Sequence, residues 1–214
     1  VKSLISLTKG IAPSKTIFFF SLMDICAPNV NMLTSLEYYK RYWEEMLGYY
    51  LENTEAQPSD IVEVWAPLNV SQIVSQEAIA DLNVPFGSET KTCKQIAKES
   101  YKDMATDPVE SAMFFVRPAF YCPTLIENYY VKSKDTMSSS LYAIGNRLRL
   151  YRQTIKEVVS NLAKKHQGRI IIYRDEVAEF EFKPNHIAPD CLHLNRVGHK
   201  AFADYLLEKA NQLP

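Results

Sequence analysis

A carboxylate and an imidazole stand three residues apart near the end of this 214-residue sequence, at Asp190 and His193. Pro189 precedes them, so the segment is predicted to be a turn on which both side chains can point the same way. In that arrangement the carboxylate orients the ring through one nitrogen, while the other nitrogen faces a nucleophile. The same spacing also fits a capped turn that carries a surface histidine. Spacing alone leaves both interpretations open.

A helix is predicted to begin directly after this pair. Asn195 belongs to the residue types that cap helix N-termini, and apolar side chains then recur at helical spacing. These side chains are Val197, Ala201, Phe202, Tyr205 and Leu206. Asp190 and His193 are therefore expected on a loop that ends at a helix N-terminus.

The segment D-C-L-H-L-N-x-x-G-H, from Asp190 to His199, resembles the last conserved block of the SGNH, or GDSL, hydrolases. It is most similar to the phospholipase B branch, whose proteins carry an A-P-D-C-x-H segment. The resemblance implies a Ser-His-Asp triad in which His193 is the base and Asp190 orients it. It also implies an acyl-ester substrate such as a lipid, no metal or organic cofactor, and an α/β three-layer sandwich with a parallel, flavodoxin-like sheet.

A second part of the resemblance lies in residues 16–26. The apolar run 16–21 predicts a strand buried on both faces of a parallel sheet. In the family this strand ends in G-x-N-D, often followed by cysteine, whereas here Ser21 and Met23 replace the glycine and the asparagine, and Asp24 and Cys26 match. A thioether cannot donate the hydrogen bond that the asparagine gives to the oxyanion, so Met23 is expected to remove one donor. Asp24 and the loop of Asp190 and His193 are expected at the carboxyl edge of one sheet.

The nucleophile of the proposed triad is not found in the sequence. The family carries it in a Gly-Asp-Ser block on the first strand, and Gly87-Ser88 lacks the flanking pattern of that block, so Ser88 is interpreted as a turn residue. We therefore expect an incomplete domain without its first strand. The nucleophile would come from an N-terminal segment before Val1 or from a partner chain.

Composition and charge narrow the class of protein. With 47% hydrophobic residues the chain can bury a core of its own, and residues 1–214 are predicted to form a single domain. Its 24 basic and 25 acidic residues leave a net charge of −1, which gives no indication of a nucleic-acid partner. No apolar run reaches the roughly 18 residues that a transmembrane helix needs, and Val1 does not begin a recognisable signal peptide.

The four cysteines form an even set without a C-x-x-C pair, which disfavours zinc and thioredoxin-like sites. Two disulfides in a secreted or lysosomal protein is the favoured interpretation, with three possible pairings. Four reduced thiols in an intracellular protein is the alternative. The glycosylation triplet Asn69-Val70-Ser71 fits the first interpretation.

Elsewhere, apolar residues at helical spacing predict helices over 34–53, 93–107 and about 141–166, and short apolar runs predict strands over 61–65 and 169–173. The aromatic stripe of the first helix is interpreted as core, with an acyl-chain groove as the alternative. Residues 113–130 are predicted to be an insertion over the carboxyl edge of the sheet or a buried loop.

Two functions fit these observations. The chain is either the C-terminal portion of an SGNH-type serine acyl-ester hydrolase, similar to lipases and phospholipase B, or an inactive SGNH-fold subunit with a structural or binding role.

Overall fold

The computed structural model describes residues 15–19, 24–27, 30–54, 60–96, 122 and 134–211. These residues form a mixed α/β fold, as the sequence predicts. The strands are β1 Lys15–Phe18, β2 Ile61–Trp65, β3 Asn83–Phe86, β4 Glu89–Thr92 and β5 Ile170–Arg174. The helices are α1 Leu36–Asn53, α2 Ser71–Ser75, α3 Glu77–Ala80, α4 Lys134–Lys165 and α5 Arg196–Asn211, with 3₁₀ turns at Val30–Met32, Glu176–Glu179 and Pro184–His186.

The contacts within the chain group into two compact units, each built from separated segments. Unit 1 comprises residues 1–21, 34–68 and 148–178, and unit 2 comprises residues 22–33, 69–147 and 179–214. The organisation of residues 1–214 as one domain stays a prediction.

Unit 1 contains a parallel sheet of three described strands in the order β1-β2-β5. Helix α1 packs against it through Tyr50, whose ring meets Phe18 edge to face at 5.0 Å and whose hydroxyl lies 2.6 Å from Thr16 Oγ1. Helix α4 joins the same layer, because Tyr151 stacks on Tyr39 of α1 at 4.0 Å. The aromatic stripe of α1 is therefore core, as its spacing predicts.

The edge strand β1 differs from its predicted burial. Of its residues Phe18 is buried, Lys15 is exposed and Ile17 keeps 44% of its surface exposed. The apolar run was expected to be covered on both faces, but β1 is the outermost described strand of its sheet, which leaves Ile17 in reach of solvent. Among the described residues, no strand pairs with the other side of β1.

A cluster of charged side chains is buried on β2 and β5. Glu63 is only 2% exposed and accepts hydrogen bonds from Arg174 on β5 and from Trp65 Nε1 at 3.0 Å. Lys15 on β1 approaches the same carboxylate at 3.0 Å, and Arg174 also reaches Glu176 at 3.4 Å. Burial alone would raise the pKa of Glu63, but these donors hold it below its ordinary value. The cluster joins the three strands.

Unit 2 contains the hairpin β3–β4, the short helices α2 and α3, and helix α5. Val84, Cys93 and Ile96 form a small buried cluster that Leu82 and Phe86 extend. The hairpin turn falls at Gly87, which has a positive φ of 63°, and at Ser88, which is thereby confirmed as a turn residue. No strand was predicted from the sequence over residues 83–92, so both strands of this hairpin were missed.

Both disulfides predicted for the four cysteines are present, as Cys26–Cys122 and Cys93–Cys191. The predicted strand over 61–65 is confirmed, and α4 begins about seven residues earlier than its pattern indicated. The predicted helix over 93–107 is described only at 93–96, and the insertion at 113–130 lies outside the described residues apart from Cys122. Within the described segments, no helix combines the length and the apolar character needed to cross a membrane.

Candidate active site

The structure brings Asp190 and His193 together in unit 2. Asp190 Oδ2 lies 2.6 Å from His193 Nδ1, which is a short hydrogen-bond distance between a carboxylate and an imidazole. The carboxylate is partly shielded, with 29% of its side chain exposed, whereas the ring keeps 52% exposed. The ring is therefore about half accessible to solvent, while the carboxylate is the more shielded member of the pair.

The second carboxylate oxygen is held by the backbone. Asp190 Oδ1 accepts the N–H groups of Leu192 and His193, each at 3.0 Å. Burial of this carboxyl would raise its pKa, but the hydrogen bonds from His193 and Leu192 outweigh burial and hold the pKa of Asp190 below its ordinary value. Asp190 is therefore ionised at neutral pH.

The ionised state of Asp190 determines the tautomer of His193. A carboxylate can only accept hydrogen bonds, so the proton between the two side chains belongs to Nδ1. In the neutral ring the lone pair is then on Nε2, which is the nitrogen that acts as a base. This tautomer leaves Nε2 as the nitrogen that can accept a proton.

The loop that carries the pair is closed by backbone hydrogen bonds. Ala188 donates to the carbonyl of His193 at 2.8 Å, and Cys191 donates to the carbonyl of Ala188 at 2.9 Å. An isolated antiparallel bridge between Ile187 and Leu194 closes the base of the loop. Residues 188–193 are thus the tip of a small, hydrogen-bonded hairpin.

Asn195 holds this loop against the start of α5. Its Oδ1 accepts the N–H of Gly198 at 2.9 Å, which confirms the predicted N-cap. Its Nδ2 donates to the carbonyls of Asn185 and Ile187, both at 2.9 Å, and its own N–H donates to His186. The sequence predicted the cap but not these three further hydrogen bonds, because nothing in the sequence indicates that residues 185–187 lie beside Asn195.

Gly198 allows the helix and the loop to approach closely. A Cβ placed on it would lie 2.3 Å from the backbone oxygen of His186, far inside any real contact. The N-x-x-G spacing of Asn195 and Gly198 is the sequence signal of this arrangement. Asn195 caps the helix and binds residues 185–187, and Gly198 leaves space for the backbone of that segment.

The remaining histidines have other surroundings. His186 is buried, stacks on Phe180 and accepts the N–H of Lys183 at 3.2 Å through Nδ1. Burial and then the charge of Lys183 lower the pKa of His186, which keeps the ring neutral. His199 is exposed in the first turn of α5, where its N–H donates to Asn195. His166 follows the end of α4 in unit 1.

The second part of the predicted site is described only in part. Asp24 lies in a turn of unit 2, two residues before the disulfide-bonded Cys26. Ser21 and Met23 lie outside the described residues. The expected position of Asp24 at one sheet edge with Asp190 stays a prediction.

Unit 1 carries a groove of about 970 Å³ between α1 and α4. Tyr42, Met46, Tyr49 and Leu162 line it together with three carboxylates, those of Glu44, Glu45 and Glu52. Lys165 lies 2.9 Å from Glu52 across the groove. This mixed lining is not the apolar lining that an acyl chain requires.

Comparisons with known proteins add no relative to this description. No protein-family model matches the sequence, and no curated protein matches it significantly.

Proposed function

We propose that the chain is the C-terminal portion of an SGNH-type serine acyl-ester hydrolase, similar to lipases and phospholipase B. Its serine nucleophile would be supplied by polypeptide outside these 214 residues. The observation that carries the proposal is the hydrogen bond of 2.6 Å between Asp190 Oδ2 and His193 Nδ1 on a loop whose backbone fixes the other carboxylate oxygen.

The two side chains would have the following roles. The serine hydroxyl attacks the ester carbonyl while His193 Nε2 takes its proton, and the ring then returns this proton to the alcohol that leaves. Asp190 keeps the proton of the ring on Nδ1 and stabilises the imidazolium that forms. Water hydrolyses the acyl-enzyme by the same proton transfers in reverse. No metal or organic cofactor takes part in this mechanism.

The sheet supports the proposed architecture, an α/β three-layer sandwich that lacks its first strand. Strand β1 is paired with β2 on one side and is the outermost described strand on the other. A further parallel strand, carrying the nucleophile at its carboxyl end, would extend the sheet there. The exposed side chain of Ile17 is consistent with a neighbour at this edge.

The second candidate is an inactive SGNH-fold subunit with a structural or binding role in a larger assembly. Met23 favours it, because a thioether at the position of the oxyanion asparagine cannot donate a hydrogen bond. Removal of one such donor costs on the order of a hundred- to a thousandfold in turnover.

The disulfides support a location in an oxidising compartment, which means a secreted protein or one of the secretory and lysosomal pathway. The substrate proposed for such a hydrolase is a lipid or another acyl ester.

Fluorophosphonate labelling of the intact assembly, together with hydrolysis of a short-chain ester, tests the proposal. His193→Ala is expected to lower the rate of both at least about a thousandfold, because the serine loses its base. His199→Ala is the matched control and should keep the rate, since this exposed ring lies on the adjacent helix turn. Unchanged hydrolysis in His193→Ala would refute the role of His193. An assembly that is neither labelled nor active would favour the inactive subunit.

A further inference from the structure

Cys191, between Asp190 and His193, has an unusual backbone conformation. Its φ is 63°, and it is the one non-glycine residue with a positive φ in the described segments. Residues other than glycine, asparagine and aspartate rarely adopt this left-handed region, because their Cβ crowds the backbone. Something other than its own preference must therefore hold Cys191 there.

This conformation creates the hydrogen bonds on Asp190. Because the chain reverses its turn at Cys191, the next two N–H groups, those of Leu192 and His193, both point at Asp190 Oδ1 at 3.0 Å. With an ordinary negative φ at 191, these two N–H groups would be redirected and the carboxylate would lose its backbone partners. The orientation of Asp190 toward the ring thus depends on the backbone at Cys191.

The disulfide to Cys93 connects Cys191 to a buried part of unit 2. Cys93 is 2% exposed and follows directly on β4, and its N–H donates to the carbonyl of Leu82 at 3.0 Å. It packs in the cluster with Val84 and Ile96. The loop of Asp190 and His193 is therefore covalently linked to the core of the β3–β4 hairpin.

We propose that the Cys93–Cys191 disulfide is a positioning cross-link for the pair of Asp190 and His193. It keeps Cys191 in the left-handed conformation and thereby keeps the carboxylate aimed at the ring. For its catalytic consequence this inference rests on the proposed function, but the geometry that it concerns can be measured without turnover.

The second disulfide provides a matched control. Cys93–Cys191 spans 98 residues and Cys26–Cys122 spans 96, so both cross-links restrict the unfolded chain to nearly the same extent. A double variant C26A/C122A should lose about as much stability as C93A/C191A. Only C93A/C191A should disturb Asp190.

The measurement is carbon-13 NMR titration of the Asp190 carboxyl in the full chain, assigned with Asp190→Asn, together with the downfield proton resonance of the His193 ring N–H. In C93A/C191A we expect the pKa of Asp190 to rise toward its ordinary value and the ring resonance to broaden or vanish. In C26A/C122A both should stay as in the native chain. In the active assembly C93A/C191A should lower kcat about a hundredfold with little change in KM, because displacement of the pair by about 1 Å is sufficient for such a loss.

A third variant, C93A/C191G, separates the cross-link from the backbone conformation. Glycine accepts a positive φ without a disulfide, so this variant should retain more of the native geometry than C93A/C191A and less than the native chain. If C93A/C191A fails to fold, C93A/C191G carries the same test. A pKa of Asp190 and a ring resonance in C93A/C191A that equal those of the native chain would refute the positioning role. Changes in C93A/C191G as large as those in C93A/C191A, or equal changes in C26A/C122A, would refute it as well.

The outcomes for the two proposals are distinct. An assembly without fluorophosphonate labelling, in which the Cys93 and Cys191 variants still shift the pKa of Asp190, would refute the proposed function and leave the cross-link in place. An active assembly in which the pKa of Asp190 is the same in both variants as in the native chain would support the proposed function and refute the positioning role of the disulfide.

Discussion

At the scale of single residues, Asp190 divides its two oxygens between different tasks. Oδ1 holds the loop through two backbone N–H groups, and Oδ2 holds the ring of His193. The first task needs one acceptor oxygen on the side chain. The second task needs another acceptor atom on the same side chain, directed at Nδ1 of the ring. Substitutions can separate the two tasks.

Asp190→Asn is expected to keep the fold and lose the activity. Its amide oxygen can replace Oδ1, but its NH₂ group would face Nδ1 and favour the wrong tautomer, with a rate loss on the order of a thousandfold or more. Asp190→Ala should in addition cost about 1 to 2 kcal/mol of unfolding free energy, because the loop N–H groups lose their acceptor. Thermal unfolding and serine labelling of both variants check this, and equal stability of the two would contradict it.

Glu63 is a second residue whose ionisation matters, here for stability. Its folded pKa lies below the ordinary value of 4.5, so the stabilisation it provides is present above that value and is lost as the pH falls through the folded pKa. Glu63→Gln leaves the buried Arg174 with only its longer contact to Glu176 and should cost about 3 kcal/mol near neutral pH.

Urea unfolding over a range of pH checks this expectation. The difference in unfolding free energy between the native chain and Glu63→Gln should be constant above about pH 5 and shrink below pH 4. Glu157→Gln, which breaks an exposed pair with Lys40, is the control and should change the unfolding free energy by no more than about 0.5 kcal/mol. A difference between the native chain and Glu63→Gln that does not vary with pH would contradict the argument.

At the scale of elements, the sequence predicts what is local and misses what depends on distant partners. Helix α1 was predicted because its apolar stripe recurs at helical spacing, and the structure adds the N-cap Ser35. The hairpin β3–β4 was missed because its segments of four residues are short and include Pro85, and pairing across the turn at Gly87 makes them strands. The pair of Asp190 and His193 was predicted from spacing, whereas Cys93 as the partner of Cys191 required the fold, since four cysteines allow three pairings.

The close contact between Gly198 of α5 and the backbone of His186 can be tested by substitution. Gly198→Ala should destabilise the chain by about 1 to 3 kcal/mol, because its Cβ would overlap the backbone oxygen of His186 and neither backbone can move cheaply. Gly48→Ala is the matched control in α1, where a Cβ meets nothing within 4 Å, and should stabilise by about 0.5 to 1 kcal/mol. Chemical denaturation measures both, and a neutral Gly198→Ala would contradict the close approach.

At the scale of the whole molecule, the described chain combines a parallel sheet with a candidate site that needs one more participant. Unit 1 provides the three described parallel strands, and unit 2 provides the loop of Asp190 and His193. The two disulfides are compatible with an oxidising compartment. Whether any polypeptide presents a serine to His193 is the question that the labelling experiment addresses.

The side of β1 that no described strand covers has a consequence for how the protein must be handled in concentrated solution. An edge strand is a template for backbone pairing with another chain, and Ile17 adds an apolar contact there, with Lys15 as the one charge on the strand that opposes it. Purified alone, the chain is expected to form edge-to-edge dimers as its concentration rises. Ile17→Lys should shift this self-association to higher concentration in sedimentation experiments, and a monomeric native chain at all concentrations would show that the edge is already covered.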